Sequence, residues 1–118
     1  MKSPCQETLE RYLGLRSATL SPVTTRCYRR NITLFIEFLH RHHPEVDSFS
    51  KLERTPHLEG WLRMLASAAP PYTDGTRALL IYQVRRFFKD LQQWGWPESP
   101  PPEDHATGGL DALGFPDE

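Results

Sequence analysis

Proline placed directly after a hydroxyl residue, at Ser21-Pro22 and Thr55-Pro56, and doubled at Pro70-Pro71, constrains this chain more than any other feature. A Ser or Thr side chain accepts from an early helical N–H, and the ring that follows fixes φ where no N–H is needed. Ser21-Pro22 and Thr55-Pro56 are therefore read as helix starts. Prolines at 44, 70, 71 and 97 mark stops, because a helix cannot run through the residue before proline without strain. What lies between these marks has to be read as separate helices of limited length.

Four helices follow from these signals. The first is expected over about residues 5–15, with Leu9, Tyr12, Leu13 and Leu15 on one side and Gly14 near its end. The second takes Ser21 as cap and Pro22 as first residue, runs to about His43, and is stopped by Pro44. A short connector, Phe49-Ser50-Lys51-Leu52, offers two apolar anchors. The third starts with Thr55 as cap and Pro56, and carries Leu58, Trp61, Leu62 and Leu65. The fourth starts between Thr73 and Thr76 and ends at Trp94, where Gly95 supplies a left-handed position before Pro97. No hairpin dipeptide stands between alternating runs. The fold class is all-α: a four-helix bundle with a C-terminal tail.

At 118 residues, with 38% hydrophobic and 25% charged side chains, the chain can bury one modest core. No apolar run approaches the roughly 18 to 20 residues of a membrane span. The first residues, Met1 to Glu7, do not read as a secretory signal, so a cytoplasmic location and no membrane partner are expected. Cys5 and Cys27 lack metal-ligand spacing and read as free thiols.

The formal charge of −1 hides an asymmetry. Residues 1–96 hold all 14 Lys and Arg against 9 acids, while residues 97–118 hold 6 acids and no Lys or Arg. The division expected is a mildly basic domain over 1–96 and a disordered, acidic, Pro/Gly-rich linker or tail over 97–118. Such a tail should compete weakly with phosphate for the basic helices.

At 100 degrees per residue, Arg26, Arg29, Arg30, Thr33, Glu37, His40 and Arg41 of the second helix share roughly 120 degrees of arc. Tyr28, Ile32, Phe35 and Leu39 point the other way, flanked by Leu34 and Phe38. The fourth helix turns Leu80, Ile81, Val84, Phe87, Phe88 and Leu91 inward and leaves Tyr82, Arg85, Arg86, Lys89, Gln92 and Gln93 outside. A solvated face normally mixes signs to gain i,i+4 pairs. Here Glu37 is the only acid read on the second helix and Asp90 the only one within the fourth. Guanidinium groups in that setting suit phosphates and guanine edges, which makes double-stranded DNA the expected partner. The DNA-binding residues expected are Arg26, Arg29, Arg30, Thr33, Arg41, Arg77, Arg85, Arg86 and Lys89.

His40, His42 and His43 sit at a helix C-terminus, where cations favour the dipole, and no metal site is expected of them. Trp61, Phe87, Phe88, Trp94 and Trp96 read as core and helix-end packing. No nucleophile elbow or glycine-rich phosphate loop occurs, so no cofactor, no small-molecule substrate and no catalytic residue are assigned.

The strings Leu20-Ser21-Pro22-Val23-Thr24, Tyr28-Arg29-Arg30-Asn31-Ile32 and Phe35-Ile36-Glu37-Phe38-Leu39 resemble the opening of the core-binding domain of tyrosine recombinases, the phage-integrase family. Pro56-His57-Leu58, Trp61-Leu62, Gly75-Thr76-Arg77, Val84-Arg85-Arg86-Phe87-Phe88, Leu91 and Trp94-Gly95-Trp96-Pro97 are similar to its closing part. The resemblance covers about residues 5–97. It implies a SAM-like pair of crossed helical hairpins whose second and fourth helices face duplex DNA, and a role in site-specific recombination and integration. Other recombinase protomers or a catalytic domain are the further partners it implies. Tyr12, Tyr28, Tyr72 and Tyr82 match none of that family's catalytic motif, so the expectation is binding without cleavage. The competing expectation is a small helical protein-interaction module that packs on a missing partner domain.

Overall fold

The computed structural model describes residues 3–100, and every regular element among them is helical. Helix α1 is Pro4–Arg16, α2 is Pro22–His42, α3 is Glu59–Ser67 and α4 is Asp74–Gln93. A 3-10 turn, Phe49–Lys51, and a π-helical turn, Arg54–Leu58, lie between α2 and α3. The all-α, four-helix expectation is met.

The caps explain most of the boundaries. Ser21 and Thr73 each accept from the N–H three residues on, at 3.1 Å, and so open α2 and α4. Ser3 does the same for α1 and donates its own N–H to Gln6 Oε1, which completes a reciprocal capping box. Gly95, at φ +72, closes α4 in the left-handed conformation that its lack of a Cβ permits.

Thr55 is not the cap of the third helix. The chain enters instead through the π-helical turn with Glu53 at the cap position, where the Leu58 N–H reaches back to the Glu53 carbonyl at 3.3 Å. His57 Nδ1 takes the Glu53 N–H at 2.9 Å, so the side chain that serves this entry comes from inside the turn.

Helix α2 is the central element and packs against both α1 and α4. Its Ile32, Phe35, Ile36 and Leu39 are fully buried. Edge-on ring contacts join the elements: Phe35 with Trp61 of α3 at 4.8 Å, Phe35 with Phe88 of α4 at 5.6 Å, and Tyr12 of α1 with Phe87 at 4.8 Å. Phe49 of the connector meets Phe87 at 5.2 Å, and with buried Leu52 it anchors the connector as expected. Each such burial contributes about 1.5–3 kcal/mol before the entropy of ordering is counted. Two apolar expectations fail: Leu15 and Leu34 stand 58% and 41% exposed, because each lies at the edge of its helix's apolar arc. Ile81 is only partly buried.

Beside the Phe35–Phe88 contact, α2 and α4 also meet through polar side chains. Asn31 Nδ2 donates to Gln83 Oε1 at 2.7 Å, and the Gln83 amide approaches Cys27 Sγ at 3.5 Å. Both amides are buried and both are satisfied, which fixes the register of the two helices more narrowly than apolar contact would.

Beyond α4 the chain does not leave the body at residue 97. Arg11 pairs with Glu98 at 2.6 Å and lies 4.4 Å over the Trp96 ring, and Gln92 donates to the Pro100 carbonyl at 3.0 Å. Residues 97–100 therefore pack on α1 and α4, and the remainder of the expected acidic tail, 101–118, lies outside the described residues.

Cys5 and Cys27 are free thiols. Burial, and secondarily the Asp47 carboxylate, pushes the Cys5 thiol from its ordinary 9.0 up to about 11. Between those values the unfolded chain loses a proton that the folded one keeps, so stability falls as pH rises. Burial and the bond to Asp90 push the Tyr12 phenol up as well, which acts in the same direction above its ordinary value. The urea midpoint is expected to fall steadily from about pH 9 upward, with a shallower fall in Cys5→Ala; a midpoint flat to pH 11 would contradict this burial.

Candidate nucleic-acid interface

The expected cations divide into two groups once their partners are known. Arg29 is bound to Glu10 of α1 through Nε and Nη2, at 3.0 and 2.9 Å, and this carboxylate raises its already high pKa. Arg77 pairs with Asp74, the first residue of α4, at 2.8 Å. Arg86 turns its Nε onto Asp90, at 3.1 and 3.2 Å from the two carboxylate oxygens. Arg85 is half-buried and already engaged. These four are committed within the protein.

The second group stays open. Arg26, Arg41 and Lys89 are exposed and form no ion pair among the described residues, and Arg30, also exposed, uses only its Nε on Asn31 Oδ1 at 3.3 Å. Thr33 lies half-buried among them. Exposed His40 extends the same surface towards the C-terminal end of α2, whereas His42 lies on the other side of the helix, its ring 4.9 Å from Phe38. Arg30 stands at the seam with α4, because its neighbour Asn31 holds Gln83. Lys89 follows Gln83 by six residues, about 9 Å along the α4 axis. The basic surface that the structure leaves uncommitted is thus chiefly one ridge of α2.

The commitment of Arg86 is explained by Asp90, the one acid that the sequence analysis counts within the fourth helix. Asp90 is only 4% exposed. Its Oδ2 accepts from the Tyr12 hydroxyl at 2.7 Å and from Arg16 Nη1 at 2.8 Å, while Arg86 covers the remaining side. Arg16 also donates to the Tyr12 hydroxyl and lies over the Tyr28 ring at 5.5 Å. A buried carboxylate shared by two arginines and a phenol joins α1 to α4 and takes Arg86 out of the solvent-facing set. The available signal was the apolar spacing of α4: position 90 borders the inward arc of Val84, Phe87 and Leu91.

A second cluster lies at the α2–α3 connection. His43 Nδ1 and His57 Nε2 approach Glu45 Oε2 at 3.7 and 3.5 Å, and the three ligand atoms fall within 4.8 Å of one another. The spacing suits a metal, but the donor set does not. Because His57 Nδ1 accepts the Glu53 N–H, its neutral ring carries the proton on Nε2, directed at Glu45. A metal on Nε2 would need that lone pair and would forfeit the backbone bond. The cluster therefore acts as a clasp for the connector. A backbone N–H first, and His57 and His43 after it, hold the Glu45 carboxyl below its usual range.

No helix among the described residues is long and apolar enough to cross a membrane. Comparison with family models, with curated proteins and with solved structures finds no match.

Proposed function

We propose that this chain binds double-stranded DNA through the exposed ridge of α2, assisted by Lys89 of α4, as the core-binding part of a tyrosine site-specific recombinase. The observation that carries the reading is the uncommitted trio Arg26, Arg30 and Arg41. They lie along one exposed helix face while the neighbouring cations are neutralised by Glu10, Asp74 and Asp90. Phosphate is the ligand class that such a row recruits, with orientation added by Thr33 and contact to base edges open to Arg30.

Neither Tyr12 nor Tyr28, both buried, is set up to attack a strand. Tyr12 donates to Asp90 in the core, and burial raises the phenol pKa of both Tyr12 and Tyr28, the reverse of what a phosphate-attacking oxygen requires. Gel shift of a duplex across a salt series tests the proposal. Retardation at low salt, lost steeply as salt rises with a log–log slope of about −3 or more, is the expected result. No retardation at any salt, with self-association of the free chain instead, would favour the protein-interaction reading.

A further inference from the structure

Resting on that reading, we propose that Glu37 is a sequence-discriminating residue, its carboxylate accepting from the N4 amino group of a cytosine in the major groove. Glu37 is the one acid of α2; it is exposed and centred on the ridge that carries Arg26, Arg30 and Arg41. It precedes Arg41 by four residues, the spacing and order at which a helical ion pair forms most readily, yet no ion pair of Glu37 is formed among the described residues. Its carboxylate is therefore available in the middle of a cationic face.

The axial positions separate the roles. Arg26 and Arg41 are fifteen residues apart, about 22 Å along the helix, and the major groove is roughly 12 Å wide. With α2 laid across that groove, these two fall at the phosphate walls. Arg30, Thr33 and Glu37 span about 10 Å and fall between the walls, opposite base edges.

On a face that met only phosphate, Glu37 would subtract from binding by like-charge repulsion. Against base edges the chemistry selects one partner. Guanine presents N7 and O6 acceptors, thymine an O4 acceptor and a methyl group, and adenine an N7 acceptor beside its N6 donor. Cytosine alone offers a donor with no adjacent acceptor to repel the carboxylate. Glu37 thus rejects three bases and accepts the fourth.

Selection of duplexes with a randomised centre by the full chain, followed by anisotropy titration of the selected and unselected duplexes, tests this in parallel for the unaltered protein, Glu37→Ala and Glu37→Gln. The unaltered protein should enrich cytosine at one position by about tenfold. Glu37→Ala should lose that enrichment and bind unselected duplex a few-fold more tightly, and Glu37→Gln should move the preference towards adenine, whose N6 and N7 suit an amide. Duplex binding by all three proteins with the same base preferences would overturn the inference while leaving the proposed function standing. Absence of duplex binding by the unaltered protein at low salt would overturn both.

Discussion

Replacing Asp90 by alanine is expected to lower stability by about 3–5 kcal/mol, the largest effect of any single polar substitution in this chain. The Asp90 side chain is 6% exposed and the Arg16 side chain it holds only 12%, so its loss strands a cation that cannot turn freely into water. The Tyr12 hydroxyl loses its acceptor at the same time. For a domain of this size such a loss lowers the melting temperature by roughly 12 °C or more, read by circular dichroism. Asp90→Asn, which keeps the shape and one acceptor oxygen, should fall between the two. Removing Glu10, whose partner Arg29 is 46% exposed, should cost less than about 1 kcal/mol. Equal effects at Asp90 and Glu10 would contradict a buried junction at α1 and α4.

Changing Arg26, Arg30 and Arg41 together to alanine should reduce duplex affinity by about a hundredfold or more near 0.1 M salt and make the salt slope shallower by about 2 to 3. All three are exposed, so the melting temperature should hold within a few degrees. Arg29, Arg77 and Arg86 provide the internal contrast. Each already neutralises an acid of the same molecule, at distances of 2.8 to 3.1 Å, and a guanidinium so engaged recruits phosphate only by releasing its partner. Their triple alanine variant should lose less DNA affinity and more stability than the first. Anisotropy titration and thermal melting of the two variants side by side check both halves.

The helices were legible because their starts depend on local chemistry: Ser21-Pro22 and Thr73 fix α2 and α4 by bonds spanning three residues. The entry to α3 was not, since the side chain that satisfies Glu53 is His57, a histidine with no capping signature in sequence. The arc of cations on α2 followed from the helical period alone. Which of them stay open did not, because Glu10 lies nineteen positions before Arg29 and pairs with it only when α1 lies on α2. Asp90 shows the same limit. Its partners Tyr12 and Arg16 are 78 and 74 positions away, and an acid in an apolar helix face gives no sign of which cations will come to it. Local rules thus located the cationic face of α2, and long-range charge pairing narrowed it.

The central claim, that the α2 ridge is where DNA docks, is tested most directly by titrating the isotope-labelled chain with a short duplex at low salt and following backbone amide shifts. Shift changes concentrated on α2 from Arg26 to His42, with a smaller set about Lys89 and little change around Trp94 and Trp96, are the predicted result. Changes confined to the α1 face about Arg11 and Trp96, or none at all at saturating duplex, would contradict it.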